Sequence, residues 1–119
     1  MDNYKFRVVF LEEANEFLDG LDEKARDKVF YNIWKSRSSN DKELFKKLHG
    51  EIWEFRTFFN KTCYRLFAFW DKTDKAGTVV ISTHGLVKKT QKVSKSEIER
   101  ADKTREKYFN EKSVKNENI

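Results

Sequence analysis

IWEFRTFFNKTCYRLFAFW, residues 52–70, holds two aromatic, apolar runs on either side of the polar pair Asn60-Lys61. The runs 52–59 and 63–70 are apolar on both faces, as expected of adjacent central strands that a helical cover shields from water. With a turn at Asn60-Lys61 they form a hairpin, and the rest of the chain is arranged around it. Downstream, TVVIST (78–83) is β-branched at five of six positions and reads as a further buried strand. Upstream, YKFRVVFL (4–11) alternates Tyr4, Phe6, Val8 and Phe10 against Lys5 and Arg7, the period of a strand.

Helical spacing fills the gaps. Ala14, Phe17, Leu18 and Leu21 recur on one helical face, and Gly20 and Asp22 end that segment. Asp22 can cap a second helix, which carries Ala25, Val29, Phe30 and Ile33 on one stripe with Trp34 beside it. So short a turn predicts a helical hairpin. Ser94-Lys95-Ser96-Glu97 reads as a capping box that opens a last helix, with Ile98, Ala101, Tyr108 and Phe109 inward. The expected order is β-α-α-β-β-β-α: an α+β fold with an N-terminal helical hairpin packed on a small, mainly antiparallel sheet, then a C-terminal helix. Residues 1–112 read as one domain, and the polar tail 113–119 is expected to fray.

The 119 residues include eleven Phe, four Tyr and three Trp, enough for one packed core although 38% of the chain is charged. A single cysteine, Cys63, excludes an internal disulfide and suits a reducing, cytoplasmic setting. The N-terminal stretch lacks the long apolar segment of a secretory signal, and no apolar run is long enough to span a bilayer. A net charge of +5 is a mild bias towards polyanionic partners.

Metal chemistry is poorly supplied, because His49 and His84 lie far apart and no residue pair has ligand spacing. Cys63 sits in an apolar run, where thiols are inert, and no Gly-rich phosphate loop is present. The remaining chemistry is cationic. Lys46 and Lys47 precede the hairpin, Arg56 and Arg65 lie inside its strands, and His84, Lys88, Lys89 and Lys92 follow the last strand. HGLVKKTQKVSK (84–95) contains no acid at all. Singly, each has a structural explanation: Arg56 can pair with Glu54, and lysine runs are ordinarily solvated. Together they make a strand-end polyanion site, and buried arginines cost desolvation unless paired.

KLHGEIWEFR (47–56), CYRLFAF (63–69) and THGLVKKTQKV (83–93), in that order before a capped helix, resemble the RelE/ParE toxin superfamily. Within it the pattern is most similar to the phage-derived, HigB-like branch, over about residues 4–110. The resemblance implies a microbial-RNase-like fold and the toxin of a type II toxin–antitoxin pair. It further implies an mRNA interferase that cuts message on the ribosome, silenced by a HigA-like helix-turn-helix antitoxin. RNA supplies its own 2′-OH nucleophile, so no metal or cofactor is expected. Arg65 and Lys88 are then expected at the scissile phosphate with Arg56 beside them, and His84 as general acid or base. Lys46, Lys47, Lys89 and Lys92 are expected to hold RNA backbone. On this reading, replacing Arg65 or Lys88 removes toxicity with little change in stability. The alternatives are a ParE-like toxin that binds DNA gyrase without catalysis, and a basic RNA-binding phage remnant that does not cleave.

Overall fold

A computed structural model describes residues 5–73, 77–88 and 92–117, with the side chains of residues 88, 116 and 117 outside that description. In chain order the elements are β1 (Arg7–Phe10), α1 (Glu12–Asp19), α2 (Glu23–Ser36), β2 (Phe45–His49) and β3 (Ile52–Phe59), followed by β4 (Thr62–Asp71), β5 (Val79–Lys88) and α3 (Lys95–Glu117). The strands form one sheet in the order β1-β5-β4-β3-β2. β1 runs parallel to β5, and the other neighbours are antiparallel. The α+β class and the mainly antiparallel sheet are therefore as the sequence predicts.

The opening stretch folds as its pattern requires. Phe59 pairs with Thr62 across a two-residue turn in which Asn60 (φ 52°) and Lys61 (φ 60°) are both left-handed. Positive φ at both central positions is the hairpin turn whose twist matches that of the flanking strands. The apolar character of β4 on both faces has a different cause from the single helical cover expected. α1 and α2 pack on one face, over Leu66, Ala68 and Val80, and α3 packs on the other, over Ile52, Phe67, Phe69 and Ile81.

The local signals at the helix ends divide. α1 stops at Gly20, and the Asp22 carboxylate accepts from the Ala25 amide at 2.9 Å, capping α2 as expected. At α3 the Ser94 carbonyl accepts from the Glu97 and Ile98 amides, while the Glu97 carboxylate bonds to His84 rather than folding back in a capping box. α3 also continues through residues 113–117, where the polar composition had suggested fraying.

Two features of the sheet departed from the sequence expectation. β2 is an additional edge strand whose Lys46 and Lys47 disguised it, since charged lysines are how sheets blunt an edge. β5 does not end at Thr83 but passes through a bulge opposite Phe67/Ala68 and continues to Lys88. The hydroxyls of Ser82 and Thr83 both reach the Phe67 carbonyl oxygen, at 3.2 and 3.4 Å, and staple the bulge. The extra residue turns His84 onto the same side of the sheet as Ile81, towards α3.

Candidate functional site

Register and alternation place Lys46, Glu54, Arg56, Arg65 and His84 on one face of the sheet, the face that carries α3. Lys46 pairs with Glu54, Glu54 with Phe67 and Phe67 with His84, forming one row across four strands. The next row holds Arg56, Arg65 and Leu86. Two arginines, a lysine and a histidine are thus brought together, as the strand-end reading requires.

Their contacts differ from that reading. Arg65 is 1% exposed, and its Nη1 donates to both carboxylate oxygens of Glu54 at 2.8 Å. Glu54, fully buried, also has the Arg56 Nε at 3.6 Å. The acid that balances Arg65 comes from the neighbouring strand, diagonally across the β3–β4 ladder, so sequence-local inspection could not find it. Arg65 is therefore enclosed and held on a buried carboxylate rather than open to solvent. Arg56 lies at the rim, 8% exposed, with its guanidinium 5.5 Å from the centre of the exposed Phe58 ring. Its enclosed Nε–H has no acceptor within hydrogen-bond distance. One carboxylate between two guanidiniums leaves this dry patch net positive.

His84 is 2% exposed and lies against the Phe67 ring, with ring centres 4.8 Å apart. Both of its nitrogens are engaged: Nε2 meets Glu97 Oε2 at 2.9 Å, and Nδ1 meets the Thr83 hydroxyl at 3.0 Å. Burial pushes the imidazole pKa down from its ordinary value; the hydrogen bond to Glu97 opposes that shift, and the charge of Arg100 adds to it. Arg100 is held in turn by an ion pair with Glu13 of α1. Thr83 gives this histidine partners in either protonation state. For neutral His84 the Thr83 hydroxyl donates to Nδ1; for the imidazolium, Nδ1–H donates to Thr83, whose hydroxyl then turns to the Phe67 carbonyl. Glu97, 22% exposed at its side chain, is the end of this chain that meets solvent.

The remaining expected residues scatter. Lys47, paired with Trp53, points to the opposite face from Lys46. Lys92 lies instead on a groove of about 840 Å³ between the β2–β3 turn and α3. The Lys88 backbone pairs with Cys63 at the end of β5, with its side chain outside the described residues, and Lys89 lies wholly outside them. Among the described residues no group of three or more His, Cys, Asp or Glu could hold a metal ion. Nor is any described helix long and apolar enough to cross a membrane. Glu97 is the residue of this site that the sequence hides, because its spacing from Ser94 is also that of a capping box.

No curated protein matches the chain. Residues 16–106, most of its length and all of the face just described, match the family described as Phage derived protein Gp49-like (DUF891), and the chain belongs to that family.

Proposed function

We propose that the protein is the toxin of a type II toxin–antitoxin pair and acts as an endoribonuclease on translated mRNA at the ribosome, held silent by a helix-turn-helix antitoxin of the HigA-like kind. Membership of a phage-derived family with this α+β fold supports the toxin class. The observation that carries the nuclease reading is the His84 site: a histidine wired for two protonation states beside a net-positive sheet face.

Cleavage then proceeds by chemistry that RNA supplies. The 2′-OH loses its proton to the Glu97–His84 pair and its oxygen attacks the adjacent phosphorus. The P–O5′ bond breaks, water gives a proton to the leaving 5′-oxygen and the Glu97–His84 pair returns its own to the hydroxide so formed, and the products are a 2′,3′-cyclic phosphate and a 5′-hydroxyl. Arg56, with Lys46 and Lys88, offsets the charge that grows on the phosphoryl oxygens, while Arg65 and Glu54 keep Arg56 in place. Removing one such donor costs on the order of 10²–10³ in rate.

The test is a short pulse of expression in bacteria with RNA 5′ ends mapped within minutes, beside Arg56→Ala and Glu97→Gln. New ends inside translated messages that disappear in both variants support the reading. Arrested growth with intact messages and a DNA-damage response moves the protein to the gyrase-binding class. That second reading is favoured by one feature, the exposed aromatic side chains Phe30, Tyr31 and Trp34 on α2, which suit contact with another protein.

A further inference from the structure

The groove between the β2–β3 turn and α3 continues the charged face. Leu48 lies two residues along β2 from Lys46, and Ile52 two along β3 from Glu54, about 7 Å further down the same side of the sheet. Ile52 is thus four residues along β3 from Arg56, about 14 Å, the order of two steps of an extended single strand. Leu48 and Ile52 form the groove's floor together with Val93 and Ile98, all four within the α3-side core cluster. The β2–β3 turn is built to leave this space: a bulge between Lys47 and His49 is followed by Gly50 at φ +57°, with nothing within 4 Å of where a Cβ would stand.

The rim has a different charge pattern from the arginine face. Lys95 pairs with Glu99 at 3.9 Å and Arg105 with Asp102 at 4.0 Å, each within one turn of α3. Lys92 and Glu51 add one charge of each sign. A charge-balanced rim over an apolar floor is unsuited to a phosphate. It suits a neutral flat ring whose faces are apolar and whose edge carries donors and acceptors.

We infer that this groove holds and reads one base of single-stranded RNA, about two nucleotide steps along the strand from the phosphate bound at Arg56. The inference rests on the ribonuclease reading for its ligand, and it adds the element that sets sequence preference. Phosphate affinity then resides on the Arg56 side and base discrimination on the α3 side, so the two are separable by mutation.

The experiment is a titration of isotope-labelled protein with RNA hexanucleotides of A, C, G and U, followed by amide and Arg Nε resonances. Groove occupancy shifts the Gly50, Glu51 and Ile98–Asp102 amides together with the Arg56 Nε, to different extents for the four oligomers. The paired substitution Lys92→Ala Asp102→Ala, at exposed or partly exposed positions, then weakens the best oligomer about tenfold and levels the four affinities, with unfolding unchanged. Shifts confined to Arg56 and its neighbours overturn the groove assignment and leave the ribonuclease reading standing. No shift at either place overturns both. Groove amides that move on dilution of the protein alone, without RNA, reassign the groove to contact between copies and overturn the inference.

Discussion

Arg65 Nη1 lies 2.8 Å from each carboxylate oxygen of Glu54, and both side chains are essentially inaccessible to water. A buried pair of this kind is worth little against an apolar replacement of both partners, but it is expensive to halve. Arg65→Ala therefore destabilises by about 3–5 kcal/mol, contrary to the nearly neutral substitution that the sequence suggests. Denaturant unfolding checks it. The double variant Glu54→Leu Arg65→Leu recovers much of the loss, and a double variant no better than Arg65→Ala would show that the pair is not coupled.

The pH response of His84 has a definite sign. Its native pKa lies below the ordinary 6.5, so the unfolded chain takes up the proton first as pH falls. The contribution of His84 to stability is complete above about pH 6.5 and declines below it, levelling once the native pKa is passed. Unfolding free energies measured from pH 5 to 8 decline on the acid side in the wild type. His84→Asn flattens that decline; an unchanged slope would show that the imidazole does not carry it.

A second titrating contact ties α3 to the sheet. Burial alone would raise the Asp71 pKa, but Lys112, Thr73 and Tyr108 all donate to its carboxylate and together hold it well below the usual carboxylate range. Its stabilisation is present above about pH 4 and fades as pH falls through the depressed native value. Tyr108→Phe removes one charge-assisted bond, at roughly 1.5–3 kcal/mol. Hydrogen exchange along α3 is expected to rise in that variant and in wild type at low pH, with β5 little affected.

Gly85 lies where β5 meets α1. A Cβ there would stand 2.2 Å from the Phe17 ring, far inside van der Waals contact. Gly85→Ala costs about 1–3 kcal/mol by overpacking, and Phe17→Leu in the same chain restores part of it. Melting temperatures of the wild type and the two variants decide the point, since a backbone requirement at Gly85 would not answer to position 17.

What could be read from the sequence followed periodicity. The alternation of Phe6, Val8 and Phe10, the stripe through Val29 and Ile33, and the twin runs about Asn60-Lys61 each became the element they predict. β2 escaped because Lys46 and Lys47 mask its alternation at an edge. The end of β5 escaped because one extra residue at the bulge breaks the period of two. The cationic cluster was legible as a set of residues on one face, but not in its pairing. Glu54 was weighed only against Arg56 on its own strand, whereas the ladder gives it to Arg65. Glu97 was read as a cap for its own helix, whereas its partner is His84 on β5.

The parallel pairing of β1 with β5 makes the time at which the sheet closes a property of the topology. β1 is made early but has no strand neighbour until β5 follows, roughly 70 residues and, at about 5–20 residues per second, roughly 3.5–14 s later. Through that interval the α1–α2 hairpin has no finished sheet on which to lay its apolar stripe, and Glu54 and Arg65 are both made before His84 can join their face. Chain synthesis itself therefore delays the finished face, so that each molecule becomes complete only when β5, the last strand made, joins β4 to β1.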